Sequence, residues 1–192
     1  MGPQDTLDAI AKDLRKPEKL SIIGEMASGF IQNHIYTGDG FDPLSAATVS
    51  YRGQGKPLQD TMSLLGSITS EVIRPDTVSV GTTKKYAPVH NNGAIIRAKK
   101  QWLWIPASGT RQLERRYGPT PSDVCRGLKD SGHKIFRIGR TVCYSRGKGK
   151  RRKSIVIYYL KKSVVIPKRE FFFLTESEQN QLIDEVLPNE LL

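Results

Sequence analysis

Apolar residues recur at helical spacing from the start of the chain: Leu7, Ile10, Ala11 and Leu14, then Leu20, Ile23, Ala27, Phe30, Ile31 and Ile35. A stripe every three to four residues gives a helix one face to bury. Pro17 interrupts it, so the pattern predicts two helices, or one broken there. The second helix is expected to end near "YTGDGFDP", whose glycines and proline cannot sustain it. Asp39 and Asp42 in that loop lack the alternating carboxylates of a calcium loop and read as part of a solvated turn. After a glycine-rich, exposed-looking stretch, "YRGQGKP", a third stripe through Leu58, Met62, Leu65 and Ile68 again has the helical period.

The period then changes to two. Val78 and Val80 alternate with polar residues, and Arg74-Pro75-Asp76-Thr77 supplies turn chemistry, so 70–74 and 77–81 are expected to form an antiparallel hairpin. In "YAPVHNNG", Tyr86 and His90 share a face if the segment makes a short helix closed by Gly93 in a left-handed conformation. "WLWIP" reads as a strand and "GTRQLERRYG" as a short helix. Residues 134–144 and 154–160 read as two strands joined by "SRGKGKRRK", and the unbroken run Ile155 to Leu160 suggests a strand covered on both faces. At the C-terminus, Thr175 and Glu178 have capping-box spacing ahead of Leu182, Ile183 and Val186, predicting a helix that packs its stripe on the sheet. The expected class is α+β: N-terminal helices and a C-terminal helix on an antiparallel sheet, with a basic β-hairpin extension.

The 192 residues suit one domain, 1–192, with an inserted basic extension at about 107–153. The net charge of +11 is unevenly spread. Residues 97–169 hold 21 Lys or Arg against 3 Asp or Glu, and the rest of the chain holds 9 against 16. Such polarity implies a cationic surface suited to phosphate backbones, acidic proteins or an oppositely charged part of another copy. No apolar run of about 18 residues and no basic-then-apolar leader is present, so neither membrane nor secretion is expected and the chain is expected to be made in a cytoplasm.

Candidate chemistry is sparse. His34, His90 and His133 are far apart and none sits in HExxH; Cys125, His133 and Cys143 match no common metal module in spacing. No GxSxG elbow or Walker phosphate loop occurs, so neither an enzyme nor a cofactor nor a metal is expected. His90 lacks a neighbouring nucleophile or orienting acid and reads as structural, its neutral ring donating one hydrogen bond and accepting another to tie the short helix to the sheet. Arg146, Lys148, Lys150, Arg151, Arg152 and Lys153 form a cationic loop that is either a solvated hairpin tip or a finger for phosphates or acidic partners.

Taken in order, "PLSAATVSYR", "LQDTMSLLGSI", "VSVGTTKKYAPVHNNGA" and "SVVIPKREFFFLTESE", behind an N-terminal helical pair, resemble the phage virion morphogenesis family, the tail-completion proteins of Mu-like and related contractile-tailed phages and prophages. The resemblance runs over nearly the whole chain. Its strand-Gly-Tyr-Ala-x-x-His-x-x-Gly signature is met by Val80, Gly81, Tyr86, Ala87, His90 and Gly93, and its Ile-Pro-x-Arg-x-Phe box by Ile166, Pro167, Arg169 and Phe171. Two departures stand out: Met62 occupies a position where many members carry Gly, and Asn91-Asn92 replaces a commoner Gln-Phe.

The resemblance implies a non-enzymatic virion protein, made in the bacterial host cytoplasm, that acts in tail completion and head-tail joining at the tail end or neck. It further implies a homo-oligomeric ring around the DNA passage. The expected partners are other copies of the chain and adjacent tail-tube, terminator or neck and head-connector proteins, with non-specific contact to DNA in the lumen. The competing reading is a nucleic-acid-binding module without sequence specificity that clamps the backbone with the 146–153 hairpin.

Overall fold

The computed structural model describes residues 3–53, 55–147 and 153–187. They divide into two compact units: the first takes 1–42, 56–93 and 167–192, the second 43–55 and 94–166. Helices and antiparallel sheets make the fold α+β, as expected. The expected extension, 107–153, lies within the second unit.

In the first unit, α1 (Pro3–Leu14) and α2 (Pro17–Thr37) are separate helices, with Pro17 at the start of the second. Proline suits that position because the first amides of a helix have no internal partner. α2 ends on Gly38 at φ 67°, whose N–H bonds the His34 carbonyl. The hairpin of β1 (Ile68–Arg74) and β2 (Thr77–Thr82) forms around Pro75-Asp76, with Val72 opposite Val78 and Ser70 opposite Val80.

α2 lies across this hairpin so closely that a Cβ on Gly24 would stand 2.6 Å from Val78 Cγ2 and 2.8 Å from Ser70 Cβ. The core joins Ile31 and Ile35 of α2 to Leu64, Ile68, Ala87 and Phe171. The C-terminal helix α7 (Glu176–Val186) has the expected capping box, but it packs on α2 where a sheet was expected. Leu182 and Val186 are buried, and Lys19 Nζ donates to the Val186 carbonyl at 2.7 Å.

The third apolar stripe does not make a helix. Leu58 and Met62 have φ of 63° and 54°, and only a 3₁₀ turn at Leu65–Ser67 follows. Left-handed residues cannot propagate a right-handed helix, so here the spacing marks Leu58, Leu65 and Ile68 turned toward the core from an irregular loop, while Met62 stays exposed. Ahead of the exposed-looking stretch, and taking in only its first two residues, is a helix the sequence reading did not include, α3 (Ala46–Arg52), capped by the Ser45 hydroxyl, which accepts from Thr48 N–H at 3.2 Å.

The second unit has a four-stranded antiparallel sheet in the order β4 (Leu103–Pro106), β7 (Lys153–Lys161), β6 (Thr141–Arg146), β5 (Ile135–Ile138). It also contains a two-stranded ribbon of β3 (Ala94–Arg97) and β8 (Ser163–Ile166). The segment read as one strand, 134–144, is instead a hairpin in which Gly139 at φ 55° and Arg140 turn between β5 and β6. α5 (Thr110–Tyr117) and α6 (Pro121–Asp130) pair closely: a Cβ on Gly127 would come 2.2 to 2.8 Å from the Tyr117 side chain.

α3 joins this unit through Tyr51, whose hydroxyl donates to Glu114, and through Arg111 Nη1, which donates to the Arg52 carbonyl at 3.0 Å. The core gathers Val124 and Leu128 of α6 with Val142, Tyr144, Ile157, Tyr158 and Leu160 of the sheet. β7 is not covered on both faces along its length, since Tyr159 is 45% exposed. The ladder shifts register between Val142 and Cys143, and a bulge of this kind lets the consecutive Ile157 and Tyr158 both be buried.

Candidate functional site

The two motifs singled out in the sequence meet in the first unit. α4 (Ala87–Asn92) is the short helix expected between Tyr86 and Gly93. The Tyr86 and His90 rings share a face in an edge-on contact, centroids 5.9 Å apart at 84°. Gly93 has a positive φ of 71° but ψ of 160°, so it is not the left-handed helical closure expected. That backbone region is almost reserved to glycine. Ala87 is buried in the core, Gly81 lies on β2, and Tyr86 is exposed.

The proline-arginine box closes against this corner through main-chain groups. Arg169 N–H donates to the His90 carbonyl at 2.8 Å, and its Nε donates to the Asp42 carbonyl at 3.2 Å, so the supposed solvated turn contributes an acceptor to the site. Asn91 Oδ1 accepts from two successive amides, Phe171 N at 3.0 Å and Phe172 N at 2.9 Å. These bonds fix a chain segment that has no strand partner of its own, and such amides must be satisfied before Phe171 can be buried. Phe171 then enters the core at 1% exposure. Pro167 opens the return into the first unit, while Ile166 ends β8 in the second, opposite Ala94.

A second clip lies on the other side of Phe171. His34 Nδ1 is 3.1 Å from the Phe171 carbonyl and Nε2 is 2.9 Å from Glu178 Oε1, while the Phe173 ring stacks on the imidazole at 4.3 Å and 16°. The carbonyl can only accept, so Nδ1 carries a hydrogen; the Nε2 contact then needs a second proton, held by the ring or the carboxyl. Burial by itself pushes the Glu178 carboxyl up, but the N–H and hydroxyl of Thr175 and the His34 ring outweigh it and hold the carboxyl below its ordinary range.

His90 does not serve as expected. Its Nδ1 is buried without a hydrogen-bond partner among the described residues, and the tie to the C-terminal segment runs through its carbonyl. Burial, and then the charge of Arg169, lower its pKa and favour the neutral ring. A pocket of about 470 Å³ opens beside the corner, lined among others by Gly81, Lys84, Ala87, Asn91 and Phe171.

Of the cationic loop, Arg146 and Lys153 form the last pair of the β6–β7 ladder; Lys148, Lys150, Arg151 and Arg152 lie outside the described residues. His133 Nδ1 is 3.0 Å from the Ser145 carbonyl, Cys143 is buried, and burial pushes the Cys125 thiol up. Among the described residues, no three His, Cys, Asp or Glu side chains are placed to share an ion, and no helix is long and apolar enough to cross a membrane.

Sequence reasoning missed Asn91 and His34 as structural clips. Asn91 had a signal, because it stands inside the signature at one of the two departures. His34 had none, since only the folded chain brings it to Phe171 and Glu178.

A fold in which a glycine-closed helix and a distant arginine-phenylalanine segment lock together through backbone bonds defines a scaffold corner. Residues 4–117 match the phage virion morphogenesis family, and the chain belongs to that family. The match takes in the signature and stops before the proline-arginine box, which the fold brings back to the signature. Comparison with curated proteins and with solved structures gave no match. Membership gives the chain a structural role in phage virion assembly.

Proposed function

We propose that this chain completes the phage tail and takes part in joining tail to head, as a non-enzymatic subunit of a homo-oligomeric ring at the tail end or neck. The observation that carries the reading is family membership over residues 4–117. The corner supports it, because His90, Arg169, Asn91 and Phe171 are engaged with backbone and core of the first unit as scaffold residues are. Its neighbours in the particle are tail-tube or terminator proteins on one side and connector proteins on the other, with the lumen wall touching DNA non-specifically.

Deleting the gene and imaging the particles tests this. Free heads beside unjoined tails, restored to whole particles by the wild-type chain and not by Arg169→Ala, is the expected result. Complete, infectious particles without the chain would overturn it.

The charge of the second unit, 20 Lys or Arg against 3 Asp or Glu, favours one alternative, a backbone clamp on nucleic acid. Duplex binding that survives about 0.15 M salt, by a chain absent from the particle, would support that alternative instead.

A further inference from the structure

The second unit has an open groove of about 880 Å³ between the 97–102 segment and the sheet. Leu103, Trp104, Val142 and Leu160 give it an apolar floor, while Arg97, Lys99, Lys100 and Arg137 line it with positive charge; none of its lining residues is acidic. Trp104 is 41% exposed. A nucleic-acid strand would satisfy the cations, but its bases need open aromatic faces to stack on. The Trp102 ring is a poor stacking platform, because Lys162 Nζ and Arg137 Cζ already stand 4.2 and 5.4 Å from its centroid. The groove calls for a ligand both apolar and acidic.

This chain carries one. From Leu174 to Leu187 there are four acids, Glu176, Glu178, Asp184 and Glu185, and no Lys or Arg. α7 turns Glu178, Leu182 and Val186 toward α2 and His34, so the stripe Glu176, Asn180, Ile183 faces outward, with Ile183 49% exposed and Asp184 beside it. We infer that the outward stripe of α7 on one copy docks in the Trp104 groove of a second copy, Ile183 on the apolar floor and Glu176 and Asp184 against the lysines. The inference rests on the ring reading and names its contact. Stripe and groove are different surfaces, so the contact is heterologous, the kind from which rings are built.

Sedimentation velocity of the full chain tests the contact. Self-association is expected, weakened by salt. Lys99→Glu with Lys100→Glu, or Glu176→Lys with Asp184→Lys, should each weaken it about tenfold or more, and mixing the two variants should restore it. All four positions are exposed, so unchanged thermal unfolding certifies the folds, and Ile183→Asp alone provides a second disruption.

Association indifferent to these changes, or a mixture that fails to recover, would overturn the interface and leave the ring reading to stand. A chain monomeric at every concentration would also overturn it, and imaging of the particle decides the ring reading separately. Binding of a single-stranded oligonucleotide that is lost with Lys99→Glu and Lys100→Glu, while self-association persists, would reassign the groove to nucleic acid.

Discussion

The two units are built on opposite plans. The first holds 10 Lys or Arg against 16 Asp or Glu, and its core draws on residues from Ile31 to Phe171. The second holds 20 against 3, and its core comes from Val124 to Leu160. Contacts between distant segments must overcome the entropy of closing long loops. The first unit accordingly has specific polar clips at Asn91, Arg169 and His34 where its distant segment returns, while the second closes its distant segments through strand ladders, β4 on β7 and β3 on β8, around a core of hairpins and an adjacent helix pair. A unit closed by ladder hydrogen bonds between backbones leaves its side chains free to carry a strongly charged surface, while the signature corner elsewhere keeps its own geometry.

The largest effect should come from breaking the long-range closure. Phe171→Ala empties a site that is 1% exposed, and should cost about 3–5 kcal/mol in urea unfolding followed by far-UV circular dichroism. Both tryptophans, Trp102 and Trp104, lie in the second unit, so their emission follows that unit alone. It should shift less; an equal loss in both probes would erase the contrast.

Next come the tight glycines, one in each unit. Gly24→Ala drives a methyl into Val78 and Ser70, and Gly127→Ala drives one into Tyr117. Each should cost about 1–3 kcal/mol by overpacking. Tryptophan emission should register the second substitution far more than the first, and the reverse order would mean that the helix pair is not what holds the basic unit together.

Period and turn chemistry made much of this fold legible. The α1/α2 break at Pro17, the β1–β2 hairpin, α4 and α7 follow local rules that act within a few residues. Even α6, which was not read, announces itself by a Thr120–Asp123 capping box ahead of Val124 and Leu128. What stayed hidden was non-local or strained: that α7 packs on α2, that His34 reaches Glu178, and that positions 58 and 62 are left-handed. The candidate site was legible as two motifs, but their union through Asn91 and the His90 carbonyl depends on chain closure, which spacing alone does not encode.

Met62 converts one of those misreadings into a test. Its φ of 54° lies in the left-handed region that glycine adopts freely, and its side chain is 44% exposed, so little packing is at stake. Met62→Gly removes the left-handed strain but loosens the unfolded chain, and the balance should be a gain of about 0.5–1 kcal/mol in the first unit. A loss would mean that Met62 packs better than its exposure suggests.

The smallest effect concerns the clip between α2 and α7. The folded state holds the Glu178 proton less tightly than the unfolded chain does, because the Thr175 cap and His34 outweigh the cost of burial. Its contribution is therefore complete above the ordinary glutamate range and is lost as pH falls through the lowered value. Glu178→Gln keeps an acceptor for the Thr175 amide and removes the charge, so it should cost about 0.5 kcal/mol at neutral pH. In acid the difference from the wild type should shrink, because the wild type loses the same charge. Thermal unfolding of both chains across the acid range measures this, and a difference that stays constant would show that the cost of the substitution does not come from the carboxylate charge.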